Sequence, residues 1–291
     1  MSLARPSIRS FLRSESALGR LFGRMRPSRA PHLSTSATGS TGDPQVFFRC
    51  NICGSSNSAA LAALQREQPS CTQCGSTVRA RAMVHLLTSE LLGRSVALPD
   101  MPPRVDLCGI GLSDAEAYAR PLARKFAYTN TYFHAEPMLD IANVALEKCA
   151  CYDFIIASDV FEHIAPPVAR AFSNARRLLK RGGVFIFSVP FSLEADTVEH
   201  FPELHDYRLI ESPEGWRLEN RTADGRDQTF TDLVFHGGSG TTLEMRLFSR
   251  AALEREFAAA GFARMRVADE AFLAHGIVWT EPWSVPMVAY A

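Results

Sequence analysis

Lysine is nearly absent from this sequence. Lys125, Lys148 and Lys180 are the only three in 291 residues, and the rest of the positive charge is arginine. The shortage reads as a GC-rich coding bias rather than as function. Net charge is absent too: 31 basic residues balance 31 acidic ones. A protein whose main partner is a polyanion carries a basic footprint, so this balance argues against nucleic acid in that role. No run of 18 apolar residues occurs, which excludes a membrane-spanning helix. No secretory hydrophobic stretch is present, so an oxidising compartment has no support. There are no internal repeats.

What is present is ordinary globular composition, 46% hydrophobic. Length and composition together predict one medium domain plus an accessory segment. Residues 1–43 stand apart. Arg5, Arg9, Arg13, Arg20, Arg24, Arg26 and Arg29 face only Glu15 and Asp43, among many Ser, Thr, Gly and Pro. Such a mixture cannot bury enough surface to fold alone. Residues 1–45 are therefore expected to be a disordered basic extension in a cytoplasmic protein. The alternative is a mitochondrial transit peptide over residues 1–35, with Leu18, Leu21, Phe22 and Met25 at helical spacing.

Four of the seven cysteines carry the plainest chemistry. Cys50, Cys53, Cys71 and Cys74 form C-x2-C-x17-C-x2-C, a spacing that suits a four-thiolate zinc site. Two intervening residues let both thiolates of a pair face one tetrahedral ion. Gly54 and Gly75 permit the tight turn after each pair and leave backbone N–H groups available to the sulfurs. Four thiolates leave no open coordination position, so the expected Zn2+ is structural. Two disulfides are the competing reading. Cys108, Cys149 and Cys151 are expected to be buried or incidental thiols. The module and its helix, "STVRARAMVHLLTSELLG", are expected over residues 46–96. Arg79 and Arg81 open that helix, either on a solvated face or in contact with a phosphate or substrate.

After the Pro-rich linker 97–103, short apolar runs alternate with helical patterns, the signature of a doubly wound parallel α/β sheet. The strand-like runs are "RVDLCG", "KFAYTNTYF", "YDFIIASD" and "VFIFSVPF". Ser113 and Glu116 form a potential capping box for the first helix, which Pro121 should kink or end. Val168, Phe172, Ala175 and Leu179 mark a second helix, with a glycine stop at Gly182–Gly183. Ser249 is expected to cap a third, closed by Gly261. "ARMRVADE" and "WSVPMVAYA" supply the last strands. Residues 192–248 break the alternation and read as an insertion within a domain spanning 104–291, with a hairpin turning at Asp224-Gly225. Its histidines (His200, His205, His236) and aromatics suit either a substrate lid or an inert surface hairpin.

The stretch Tyr152–Phe191, with "YDFIIASDVFEH" and "LLKRGG", resembles the core of class I S-adenosylmethionine-dependent methyltransferases, such as the ubiquinone-biosynthesis O-methyltransferases. The "CxxCG…CxxCGS" prelude and "YTNTYFHAEP" resemble a group of zinc-knuckle methyltransferases. The resemblance implies a seven-stranded Rossmann-like sheet and S-adenosyl-L-methionine as methyl donor. It implies that Gly109 and Gly111, in the turn after the first strand, flank the donor's methionine moiety. Glu136 would bond the ribose hydroxyls, and Asp140 would lie near the adenine. Ser158 and Asp159 would line the methionine side. The sequence departs from the family where an acid is expected two residues before the first glycine, since Leu107 stands there, and Ser113 replaces the third glycine.

Methyl transfer is an in-line displacement, so the protein mainly aligns the acceptor and excludes water. A hydroxyl acceptor gains from a base, and His163 with Glu162 is the candidate pair; the two are otherwise structural. The expected activity is O-methylation of a small molecule or glycan. The alternatives are an RNA methyltransferase, against which stand the neutral charge and "SDVF" in place of an "NPPY"-type motif, and a non-catalytic zinc-binding scaffold on the same fold. The oligomeric state is not legible.

Overall fold

The computed structural model describes residues 43–145, 150–238 and 240–291. The basic N-terminal segment up to residue 42 and Cys149 lie outside the described residues. The described chain forms two compact units, one of residues 43–198 with 246–291 and one of residues 199–245.

The larger unit is built on a six-stranded sheet. Two strands, β1 (Gln45–Arg49) and β2 (Ser56–Ala60), pair antiparallel in the cysteine module. The helix α1 (Val78–Leu92) follows, with the Thr77 side chain accepting the Ala80 N–H and Gly93 ending it in a left-handed turn. Then come β3 (Arg104–Leu112), α2 (Glu116–Ala123), β4 (Phe126–Thr131), β5 (Tyr152–Ser158), α3 (Ala169–Leu178), β6 (Leu179–Ser188), α4 (Arg250–Ala259), β7 (Arg264–Val267) and β8 (Met287–Tyr290). The sheet order is β7-β8-β6-β5-β3-β4. Strands β3 to β6 are parallel, while β8 runs antiparallel to both β6 and β7. This is a Rossmann-like α/β sheet with six strands among the described residues, not the seven expected. Among the described residues no further paired strand lies between β4 and β5, where the segment after Thr131 turns back on itself through the Tyr132–Met138 bridge.

The alternation of β5 shows how the layers form. Phe154 and Ile156 pack with Met83, Val84 and Leu87 of α1 and Tyr118 and Leu122 of α2. Ile155 and Ala157 pack on the other face with Phe172 of α3 and Leu253 and Phe257 of α4. Strands covered on both faces must be apolar throughout, and all four residues are fully buried. Cys50, Ile52 and Cys71 belong to the same cluster as α1 and the sheet, so the cysteine module shares the core of the sheet rather than standing as a separate bead.

Several local expectations change. Gly109 and Gly111 lie within β3, in register with Phe154 and Ile156 of β5, rather than in the turn after it. A Cβ on Gly109 would sit less than 3.0 Å from the Phe154 ring, and one on Gly111 equally close to the Tyr128 hydroxyl and the Asp114 carboxyl. The glycines let neighbouring side chains cross the strand. Gly109→Ala is therefore expected to lose about 1–3 kcal/mol by overpacking, measured as a lower urea midpoint. An unchanged midpoint would show that the Phe154 ring yields freely. The capping box does not form: α2 begins at Glu116 with Ala115 as an uncapped N-cap, and Ser113 adopts a left-handed backbone with φ 56°. The "KRGG" run does not stop α3 but lies within β6, where the register shifts between Tyr152 and Phe154.

The smaller unit contains a three-stranded antiparallel sheet of Asp206–Ser212, Gly215–Arg221 and Asp227–Phe230, with the middle strand central, and a two-stranded one of Phe235–His236 and Thr242–Leu243. Asp224 and Gly225 make the expected hairpin turn, and Gly225 takes φ 87°. Buried Asn220 ties the sheet together, accepting the His205 N–H and donating to Gln228 Oε1 and the Glu203 carbonyl. Glu244 accepts from His200 Nε2 at 2.9 Å, and its other oxygen lies 2.9 Å from His236 Nε2. Burial alone would push its carboxyl up; the two imidazoles outweigh that and hold it at about 2.

Candidate functional site

The four cysteine sulfurs all lie within 4.8 Å of one another. Cys50 and Cys74 are 3.7 Å apart, and Cys53 and Cys71 are 3.6 Å apart. A disulfide needs about 2.05 Å, whereas thiolates about 2.3 Å from one tetrahedral zinc stand roughly 3.8 Å apart. The donor set and its spacing fit that ion. The two knuckles are built alike. Gly54 N–H donates to the Cys50 carbonyl and Gly75 N–H to the Cys71 carbonyl, at 2.8 and 2.9 Å. Those amides close the turns rather than reaching for sulfur, and both glycines take the left-handed backbone this requires. Ser76 Oγ lies 3.3 Å from the Cys50 sulfur, and Asn57 donates to the Cys71 sulfur at 3.6 Å. Such outer partners orient ligands. Cys108 is half-buried and Cys151 exposed.

The second cluster sits where the strand order reverses between β3 and β5, beyond their carboxyl ends. A doubly wound sheet binds its ligand there. Asp159, directly after β5, is in a left-handed conformation with φ 57°, as is Ser113 directly after β3. Non-glycine residues in that region gather at functional sites. Arg66, from the loop between the two cysteine pairs, grips Asp159 with both terminal nitrogens at 2.7 and 2.9 Å. Arg79, in the first turn of α1, donates to Ser158 Oγ at 2.7 Å and approaches Asp159 at 3.5 Å. Ser188, at the end of β6, donates to Asp159 at 3.1 Å and lies 2.8 Å from Ser158 Oγ. Burial would raise the Asp159 carboxyl, but the two guanidiniums hold it well below the ordinary carboxylate range.

Neither arginine is on a solvated face. Arg79 is about three-quarters covered. Arg81 is fully buried; it donates to the carbonyls of Ser76, His275 and Gly276 and lies 4.7 Å over the Phe48 ring. Spacing alone left their surroundings open because most of the partner carbonyls and carboxylates lie far away in the chain.

Asp114, in the turn after β3, is buried and accepts from Tyr118 at 2.8 Å and Tyr128 at 2.5 Å. Burial pushes its carboxyl up to about 7, against the pull of the two hydroxyls and of Arg79. Between its ordinary value of 3.8 and about 7, the folded state keeps a proton that the unfolded chain has released. Stability is therefore expected to fall as pH rises through that window. Asp114→Asn should flatten the fall, read as urea midpoints at pH 5 and pH 8. Equal slopes in both proteins would assign the dependence elsewhere.

The remaining expected residues are placed as follows. Glu136 is exposed and accepts the Met138 N–H at 3.0 Å; Asp140 accepts the Ala142 N–H at 2.9 Å. Both belong to the loop after β4, and these contacts are local. Glu162 is fully buried in a short turn, Phe161–His163, with the His163 Nε2 3.7 Å from its carboxylate. Arg246 donates to the carbonyls of Phe161 and Ile164 and so clamps that turn. The structure thus joins Ser158 to Asp159 and Glu162 to His163. Arg66, Asp114 and Ser188 were missed, and no local pattern marks them.

A family profile described as a methyltransferase domain matches residues 102–266, more than half of the chain. The chain belongs to this family. It is an S-adenosylmethionine-dependent methyltransferase. Among solved structures, this methyltransferase is similar to the 1,6-didemethyltoxoflavin-N1-methyltransferase of Burkholderia thailandensis, at 13% identity over 72% of this chain and 77% of that one, with a TM-score of 0.38. It is also similar to CalS10, an amino pentose methyltransferase of Micromonospora echinaspora, at 14% identity over 74% and 92%, with a TM-score of 0.40. Among curated proteins none matches the sequence. The cluster at the carboxyl ends fits the methyl donor at its amino-acid end, because two guanidiniums and a carboxylate complement a carboxylate and an ammonium. No helix among the described residues is long and apolar enough to cross a membrane.

Proposed function

We propose that this methyltransferase acts on a hydroxyl of a small molecule or glycan, and that its four cysteines hold a structural zinc ion. The observation that carries the reading is the charged cluster at the switch point of a sheet in this family, with His163 and Glu162 five and four residues past the end of β5. When bound, S-adenosylmethionine supplies a methyl group on a sulfonium centre already activated for displacement. Ser158 and Asp159 hold its amino-acid end. Glu136 takes the ribose hydroxyls and Asp140 lies by the adenine, on the loop after β4. Gly109 and Gly111 serve at one remove, by letting Phe154, Tyr128 and Asp114 close beneath the turn 113–115. His163 accepts the acceptor hydroxyl's proton at an imidazole nitrogen, and the buried Glu162 carboxylate beside it steadies the imidazolium that results. The zinc holds the cysteine loops, so that Arg66 and Arg79 reach the end of β5.

The test is a turnover screen of the zinc-loaded protein with S-adenosylmethionine against sugars, quinones, lipids and RNA. His163→Ala should abolish turnover on a hydroxyl acceptor while leaving donor binding intact. Glu136→Ala should weaken donor binding. Failure of the folded, zinc-loaded protein to bind the donor by calorimetry would overturn the reading. Methylation of RNA alone would replace the acceptor class.

A further inference from the structure

We propose that the cysteine module is itself part of the donor site: Arg66 and Arg79 receive the carboxylate of the methionine moiety, Asp159 receives its ammonium, and Glu67 occupies the carboxylate seat until the donor arrives. The inference rests on the reading above and extends it to residues outside the family's matched segment.

The geometry of Glu67 carries it. Its carboxylate meets the Arg79 guanidinium in a two-point fork, Nε to Oε1 at 2.8 Å and Nη2 to Oε2 at 2.7 Å, and also contacts Arg66 Nη1. A fork of that kind is how guanidinium recognises a carboxylate. The three partners differ in exposure. Arg66, Arg79 and Asp159 are each about a fifth exposed, whereas Glu67 is 46% exposed. Glu67 is thus the member that can swing into water, leaving Arg79 with an unfilled fork that faces solvent. Asp159 is fixed from behind by Ser188 and by its place at the end of β5. Arg66 is anchored through Nε to the Ser284 carbonyl at 2.9 Å. Two fixed guanidiniums beside one fixed carboxylate, closed by a movable carboxylate, make a receptor for a zwitterion.

The cysteine spacing positions this receptor. Arg66 lies between the two cysteine pairs. Arg79 lies five residues after Cys74, in the turn capped by Thr77.

The experiment is calorimetry on the full, zinc-loaded protein with S-adenosylmethionine, S-adenosylhomocysteine and decarboxylated S-adenosylmethionine. The wild type is expected to bind the two carboxylate-bearing ligands at least tenfold more tightly than the decarboxylated one. Arg66→Ala and Arg79→Ala should erase that preference, and Arg79→Lys, which keeps charge but not the fork, should reduce it. Glu67→Gln should tighten binding of the intact donor several-fold and leave the decarboxylated ligand unchanged. Zinc content and thermal midpoint identify any variant that fails to fold, and in that event Glu67→Gln and Arg79→Lys decide. Unchanged affinities in Glu67→Gln, or an intact carboxylate preference in the folded arginine variants, would overturn the inference while leaving the methyltransferase reading in place. If the wild type binds none of the three ligands, the proposed function fails, and this inference with it.

Discussion

Cys71→Ser, or exposure to a strong chelator, is expected to abolish zinc binding and to loosen the sheet as well as the knuckles. Small zinc modules draw about 10–16 kcal/mol of apparent binding energy from the metal at neutral pH. Even a third of that, roughly 4 kcal/mol, lowers the thermal midpoint of a domain of this size by roughly 10 °C. The effect should spread because Cys50 and Cys71 pack in one cluster with Phe154, Ile156 and Ile186. Elemental analysis should find one zinc per wild-type chain and close to none in the variant. Hydrogen exchange should accelerate first across residues 45–77 and then in α1. A chelated protein with an unchanged midpoint would show that the four sulfurs are held by packing alone.

Asp159→Ala should be the most damaging single substitution at the switch point. It removes the carboxylate that Arg66 grips with both terminal nitrogens and Arg79 approaches, leaving the two guanidiniums with only the half-exposed Glu67 between them. Stripping one partner from a buried pair costs about 3–5 kcal/mol, because the surviving charge stays desolvated. Glu67 still compensates part of that charge, which places the expectation at the lower end. Urea unfolding at pH 7 measures it, and Asp159→Asn, which keeps an acceptor of the same shape, should lose less. A loss under 1 kcal/mol in the alanine variant would mean that the arginines find water easily and that the pairs add little. Because the native carboxyl is held below its ordinary range, its share of stability is present above about pH 4 and disappears as pH falls further.

The central strands and both cysteine pairs were legible in the sequence because their signals are local. A run such as "FIIA" has few ways to be satisfied except between two layers. C-x2-C needs no information beyond itself. The last two strands and the Asp224-Gly225 hairpin were legible for the same reason, although the antiparallel direction of the final strand was not. The first glycine motif was misplaced because two glycines before a helix suit either a tight turn or a crossing point for large rings. What decides between those is Phe154, 45 residues further on. The surroundings of Arg79 were left open, and Arg66 was missed, for a related reason. A guanidinium near the start of a helix is usually solvated, and no pattern within ten residues of Arg66 or Arg79 reveals Asp159. Helix boundaries moved where backbone conformation, not composition, was decisive, as at left-handed Ser113.

Arg81 also bears on the order in which the molecule can be made. Its side chain closes on carbonyls 194 and 195 residues further along the chain, and Arg66 closes on one 218 residues away. During synthesis the cysteine loops emerge early, yet those distant carbonyls are out of reach until residues 275–284 have left the ribosome. At about 5–20 residues per second, that interval is roughly 10–40 s. The proposed zinc would bridge the wait, since its four ligands all lie within residues 50 to 74. A nascent chain stalled before residue 275 would accordingly hold Arg81 through Ser70 and Ser76 but without its two distant carbonyls, a state the finished protein never shows.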